Sequence, residues 1–415
     1  MKNMNKQDIA STLYRKVREK QLKDFKNSMP QDKQGVEFTH NGITYVAAIR
    51  RLTPTECAKL QTVPDGYEFY TSETQQYRCL GNGWTIEVIK HILDFLPEYT
   101  KKSMKVLSLF DGMSCGQIAL REIGANVTTY LASEIDKHAI ANTQHNFPNT
   151  VQLGSVTDLN IEEIVEKYGM PDILIGGSPC QSFSFSGKMK GMSTKSGEEI
   201  YTLEHYLELK RQGFEFEGQS YLFWEYMRIL TELRKYNPNI YFLLENVKML
   251  EKWERCLSNA IGVRGVHINS ALVSAQQRKR IYWSNIRTRQ VENGKLFPDE
   301  EDNDPFAWPN ITTDIPQPED KGLVIRDVLQ GNVGEKYYLK DETTAKLIDR
   351  TDKNKLKDYL LEPQVSVDEA LAYMNTHSDY DGFTSKEKRD IATLGYELEK
   401  QRLLTNYYGE SVSNG

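Results

Sequence analysis

The 415-residue sequence has no run of eighteen or more apolar residues, so no segment reads as a membrane span. Its first twenty residues, MKNMNKQDIASTLYRKVREK, hold no apolar core of secretory length. Cysteine is sparse. Cys57, Cys79, Cys115, Cys180 and Cys256 are scattered and odd in number, with no CxxC pair and no Cys/His cluster. That pattern speaks against a disulfide framework and a zinc site, so no metal is expected and a reducing cytoplasm is the expected location. Positive charge is not in excess either: 52 Lys and Arg stand against 58 Asp and Glu, a net charge of -6. This argues against a general nucleic-acid coat protein. It leaves room for an enzyme acting on nucleic acid, because binding depends on where the positive charge lies. Here it is segregated. Residues 278 to 289 carry Arg278, Lys279, Arg280, Arg287 and Arg289 and no acid, and an acidic run from Asp299 to Asp304 follows soon after.

What the chain does have is a distinctive stretch from Gly176 to Gly187, GGSPCQSFSFSG. It follows Ile173-Leu174-Ile175, which has the length and residue types of a buried strand, and the glycines end that strand. Cys180 then sits just past a strand's C-terminal end, the edge at which open α/β sheets bind ligands. Pro179 beside it has a fixed φ and no N–H. Taken alone, Cys180 reads as a small buried hydrophobe. The serines after it suit a loop that offers hydroxyls to an anion.

Further strand–turn–helix units surround this stretch. KVLSLF reads as a strand, DGMSCGQ as a glycine-bearing turn and IALREIGA as a helix. Gly112 and Gly116 let the backbone approach a ligand closely. The next strand, VTTYLAS, ends at Glu134, placed to bond two ribose hydroxyls. TVQLGSV reads as a third strand, and NIYFLLENV as one ending in Glu245-Asn246-Val247. Taken alone, Glu245 is an acid favoured by a helix dipole. Gln276, Arg278 and Arg280 alternate, so an extended segment puts them on one side. Their plain reading is a solvated basic edge, but Ile281, Tyr282 and Trp283 directly after them imply partial burial. Upstream, ITYVAAI alternates like a strand, and a helix opens at Thr53-Pro54. A second helix after GNGW has Ile86, Ile89, Ile92, Leu93 and Leu96 on one face. Residues 1 to 35 read as a polar surface helix, and residues 188 to 218 as a long polar insert.

PCQSFSFSG, ENV and QQRKR, in that order, resemble the motifs of the cytosine-C5 DNA methyltransferases. The resemblance extends over residues 50 to 99 and 105 to 286. RLTPTECAKLQ is similar to the family's ninth motif and GNGWTIEVIKHIL to its tenth, yet both precede the first, which implies a circular permutant. VSAQQRKRIYW leans toward the de novo branch. The implied fold is α/β: a Rossmann-like, S-adenosylmethionine-dependent methyltransferase sheet with helices on both faces, plus a smaller target recognition domain. The implied division is a polar extension over 1–36, a permuted segment over 37–100, a catalytic core over 101–290, and target recognition with a tail over 291–415.

The resemblance also implies roles. Cys180 adds to carbon 6 of a flipped-out cytosine in double-stranded DNA. Glu245, protonated or sharing a proton with N3, neutralises the ring and reads the exocyclic amine. Arg280 holds O2 and Arg278 supports the site. S-adenosylmethionine is the implied cofactor, held by Phe110, Asp111, Gly112, Met113, Ser114 and Cys115 in the first turn and by Glu134 and Ile135 after the second strand. Ser178 and Pro179 border it, and Asn82, Gly83 and Trp84 close the pocket. Family members carry an acid after the glycine of the third strand. This chain has Ser155 there, followed by Val156, and its nearest acid is Asp158, so either Ser155 or Asp158 is open as the adenine contact. Gln181, Ser184, Ser186 and Gln276 are the implied DNA contacts. An RNA cytosine methyltransferase and a non-catalytic DNA-binding relative are the competing readings. Whether a cognate restriction endonuclease accompanies the protein is left open.

Overall fold

A computed structural model describes residues 4–28, 35–40, 43–179, 192–291, 304–331, 333–351 and 365–408. The chain divides into two compact units, one made of Met1–Thr53 with Gln330–Gly415 and the other of Pro54–Leu329. The division at Thr53 runs through the segment that the motif reading places at 37–100. The second crossing, at Leu329, falls within 291–415.

The first unit is built from both ends of the chain. The helix Lys6–Ser28 carries Ile9, Ala10, Leu13, Tyr14 and Val17 on one face. This spacing forms an apolar stripe on an otherwise polar helix. The stripe is buried against Val365, Ala370, Met374, Tyr380, Ile391 and Ala392, so the helix is not the surface element expected from its composition. Ala370 and Met374 lie on the helix Val367–Thr376 and Ile391 and Ala392 on the helix Ser385–Tyr408, with Val365 just before the first and Tyr380 between the two. Gly395 permits the close crossing, since a Cβ there would lie 2.4 Å from the Tyr14 ring. Strands β1 (Val36–His40) and β2 (Ile43–Ala47) form an antiparallel hairpin in the same unit.

The second unit holds a seven-stranded sheet. Its strands are β3 (Met104–Leu109), β4 (Val127–Ser133), β5 (Val151–Gln152), β6 (Ile173–Gly177), β7 (Tyr241–Val247), β8 (Val266–Asn269) and β9 (Lys279–Ser284). Their order is β5-β4-β3-β6-β7-β9-β8. The first five in that order run parallel, and β9 is antiparallel to both β7 and β8. Parallel pairing requires crossovers that cover both faces, and the central strands are accordingly mostly apolar and buried. Side chains alternate between two cores. Leu107, Leu174, Phe242 and Leu244 pack on one face with the helix Phe223–Tyr236. Val106, Ile173, Ile175 and Leu243 pack on the other with the helices Ile86–Leu93 and Cys115–Glu122. This is the α/β sheet with helices on both faces expected from the sequence. Strand order reverses between β3 and β6, which opens a crevice at the C-terminal strand ends.

Some elements differ from their sequence readings. The third strand shrinks from TVQLGSV to Val151–Gln152, an edge strand paired on one side. A helix over Glu73–Asn82, with only Cys79 and Leu80 buried, was not read from the sequence and runs into GNGW, while the helix read after GNGW begins at Ile86. The polar insert contains a helix, Leu203–Arg211, anchored by Tyr206 and Leu209. Among the described residues no helix is long and apolar enough to cross a membrane.

Candidate active site

A cavity of about 580 Å³ lies at the C-terminal ends of β3, β4, β6 and β7. One end is shaped by the turn after β3. Phe110, Gly112 and Ser114 all take positive φ (56°, 58° and 61°), so the chain reverses tightly before the helix Cys115–Glu122. Phe110 and Gly112 face the cavity. Asp111 does not. Its carboxylate is buried and accepts from Ser108 Oγ (2.6 Å), Tyr130 OH (2.8 Å) and Ser114 Oγ, which ties the turn together from behind. Burial pushes the Asp111 carboxyl up to about 6, against the pull of those three donors. Met113, Ser114 and Cys115 are likewise buried behind the wall, and burial pushes the Cys115 thiol up to about 12.

Glu134, at the end of β4, lies on the cavity wall. Its Oε2 accepts from the Gly112 amide (2.8 Å), and its Oε1 from the amides of Ile135 and Asp136 (both 2.8 Å). One acid thus locks the first turn to the second. Ile135 is 72% exposed beside it, an apolar face open to a ligand. Asp136 caps the helix Lys137–Asn146 and pairs with Arg78 at 3.3 Å on the rim. Beyond β5, Ser155 and Val156 line the cavity and Asp158 does not. Ser155 caps the short turn Val156–Asp158, accepting from the Thr157 amide at 3.3 Å.

The other end is built from β6, β7 and β9. Glu245 stands opposite Gly177 on β6 and Tyr282 on β9. It is 8% exposed. Its Oε1 pairs with Arg280 Nε at 2.9 Å, and its Oε2 accepts from Trp84 Nε1 at 3.2 Å. Gly177 is required by close approach, since a Cβ there would lie 2.7 Å from Trp84 Nε1 and 3.0 Å from Glu245 Oε2. Arg278 Nη2 donates to the carbonyls of Gly83 (3.0 Å) and Gly81 (3.3 Å). Burial, and then the neighbouring Arg280, lower the Arg278 pKa. Ser178, bonded through its Oγ to Asn246 Nδ2 (3.0 Å), lines the cavity together with Pro179, Asn82 and Gly83.

Three outcomes follow for the residues expected from sequence. The cavity gathers Asn82, Gly83, Trp84, Phe110, Gly112, Glu134, Ile135, Ser155, Val156, Ser178, Pro179, Glu245, Arg278 and Arg280. Gln276 points elsewhere, with its Nε2 donating to Leu60 O (2.9 Å) and Gln61 Oε1 (3.0 Å), where it joins β9 to the helix Pro54–Leu60. Cys180, Gln181, Ser184 and Ser186 lie outside the described residues. Sequence reasoning missed Arg78, Thr157, Gly177, Gln219, Tyr221 and Leu222 as wall residues. Of these, Tyr221-Leu222 had a signal, since they open the amphipathic run that leads away from the insert. Among the described residues no group of three His, Cys, Asp or Glu could hold a metal ion.

The chain is 29% identical over 294 residues to the orphan methyltransferase M.Rho11sI of Bacillus phage rho11s, covering 64% of this chain and 51% of that protein. It is 30% identical over 289 residues to the putative type II methyltransferase M.BsuMIIP of Bacillus subtilis strain 168, covering 60% and 61%. The chain thus spans about half to three fifths of the length of these relatives. The solved S. pombe Dnmt2 methyltransferase aligns at 16% identity over 44% of this chain and 48% of its own, with a TM-score of 0.31, a likeness too small to bear on the site. The family model for C-5 cytosine-specific DNA methylases matches residues 1–97 and 104–407, and the chain belongs to that family.

Proposed function

We propose that the protein transfers a methyl group from S-adenosylmethionine to carbon 5 of a flipped-out cytosine in double-stranded DNA. One observation carries this reading. A single cavity joins the Gly112–Glu134 turn pair at one end to the Glu245–Arg280 ion pair at the other, with Pro179, which precedes Cys180 in the chain, on its wall. Its size suits a nucleoside with an amino-acid tail beside a second small ring. The residues fit the cofactor. Glu134, whose Oε1 is taken by the amides of Ile135 and Asp136 and whose Oε2 accepts from Gly112, keeps one of its about four lone-pair sites, on Oε2, for a ribose hydroxyl; Ile135 and Val156 offer apolar faces for adenine, and Ser155, on the cavity wall, is its polar contact. When bound, S-adenosylmethionine supplies an electrophilic methyl group.

The chain's own groups then do the following. The Cys180 thiolate adds to carbon 6, forming a C–S bond and turning carbon 5 into an enamine-like nucleophile. Glu245 shares a proton with ring N3 as negative charge develops, and reads the exocyclic amine. Arg280 donates to O2, while Arg278 braces the segment from behind. After methyl transfer the carbon 5 proton leaves to a base or water, and the C–S bond breaks to regenerate the thiolate. A cytosine in a duplex exposes neither face to this attack, so the base is extruded. Gln181, Ser184 and Ser186 contact the flanking phosphates, and residues 291–415 carry target recognition. Cys57, Cys79, Cys115 and Cys256 are all driven toward the protonated thiol by burial, which supports Cys180 as the nucleophile. The packing of the helix Ile86–Leu93 on the helix Cys115–Glu122 supports the permuted motif order, because the early segment still supplies a wall of the cavity.

The test is incubation of the full chain with labelled methyl donor and either duplex DNA or tRNA. Label in 5-methylcytosine of DNA is expected, and label in tRNA alone would sink the proposal. Cys180→Ser should abolish transfer, by roughly a thousandfold or more, while cofactor binding measured by calorimetry persists.

A further inference from the structure

We propose that Trp84 is a positioning residue for Glu245, so that the Gly81–Trp84 turn builds the base-facing end of the cavity as well as the cofactor end. This rests on the reading of Glu245 as the carboxylate that meets the target base. A terminal carboxylate torsion is soft, and a single donor leaves it free to turn. Here each oxygen has its own donor from a different element: Arg280 Nε on Oε1 at 2.9 Å from β9, and Trp84 Nε1 on Oε2 at 3.2 Å from the turn before the helix Ile86–Leu93. Two donors on two oxygens fix the carboxylate plane, and hence where its remaining lone pairs point. The contact exists because position 177 has no side chain. A Cβ there would fall 2.7 Å from the indole nitrogen and 3.0 Å from the carboxylate. The turn is braced in return, since Arg278 Nη2 donates to the carbonyls of Gly83 and Gly81 at 3.0 and 3.3 Å. Arg278, Arg280 and Tyr282, which interact with Glu245, all come from residues 278–282. The donor on Oε2 comes instead from a segment 161 residues earlier in the chain.

Trp84→Phe keeps the ring and removes only the N–H. In DNA methylation kcat is expected to fall roughly 10- to 100-fold, with the cofactor dissociation constant and the KM for DNA staying within about threefold. Gly177→Ala, which drives a methyl between the two groups, should reproduce the fall in kcat. A readout free of activity accompanies these. The emission of Trp84, taken as wild type minus Trp84→Phe, should shift when Glu245→Gln is introduced into both backgrounds. An unchanged kcat in Trp84→Phe, or a cofactor affinity that falls in parallel with kcat, would overturn the positioning role, as would an emission blind to Glu245→Gln. A wild-type protein that methylates no DNA but keeps the emission response would instead overturn the proposed function and leave the contact standing.

Discussion

At the cavity end near β3 and β4, the contacts that shape the wall are close in sequence. Glu134 reaches back 22 residues to the Gly112 amide, and Asp111 is held by Ser108, Ser114 and Tyr130. At the end near β7 and β9, Glu245 meets a tryptophan 161 residues before it, and Arg278 is bonded to a carbonyl 195 residues before it. The first end is a piece of backbone geometry, a turn of positive φ angles locked by carboxylates. The second is an assembly of side chains from three separate segments, brought together only when the helices of residues 54–93 dock. The comparison teaches that a ligand bound mainly through amides and one acid can be specified locally. A carboxylate held on both oxygens needs the whole sheet.

Substitutions confined to one end separate the two experimentally. The largest effect is expected at the assembled end. Glu245→Gln should lower single-turnover methyl transfer by roughly 100- to 1,000-fold, with cofactor affinity by calorimetry unchanged. A matching loss of cofactor affinity would erase the distinction between the ends. At the local end, Asp111 has its carboxyl raised to about 6 by burial, above its ordinary value of 3.8. The folded state therefore favours the neutral acid. The stability this contributes is full below the ordinary value and is lost as pH rises through about 6. At about 1.4 kcal/mol per pKa unit, the wild type should lose roughly 3 kcal/mol between about pH 4 and pH 7 from this group. Asp111→Asn should flatten that part of the urea-midpoint profile, and a slope retained in the variant would mean the titration lies elsewhere. The smallest effect is at the junction of the turns. Glu134→Ala should weaken cofactor binding roughly 10- to 100-fold and leave DNA affinity at fixed salt unchanged. An unaltered cofactor affinity would show that the turn holds its shape without the acid.

Legibility followed the same divide. VTTYLAS was readable end to end, as Val127–Ser133, and NIYFLLENV apart from its first two residues, as Tyr241–Val247, because a buried parallel strand is a bounded, mostly apolar run. The apolar face from Ile86 to Leu96 was readable from its spacing and is buried as expected. The helix Glu73–Asn82 was not, since ten mostly polar residues with two buried ones carry no clear period. The stripe on the helix Lys6–Ser28 was visible as residues but not as a core, because its partners stand more than 340 residues away. Gln276, which the resemblance implied as a DNA contact, donates to Leu60 O and Gln61 Oε1, a contact that alternation could not show because its partners lie over 200 residues earlier.

Most of the sheet's strands, the glycine turns and the order of the acids at the strand ends are legible in the chain alone, because these depend on backbone freedom and on periods of a few residues. Only the tertiary structure decided which of the nearby polar groups face the cavity and which brace it from behind, as Asp111 does, and which distant donor completes the Glu245 carboxylate. A hydrogen bond is selected by what desolvated neighbour lies within about 3 Å once the sheet and its helices have closed, and no local pattern encodes that neighbour.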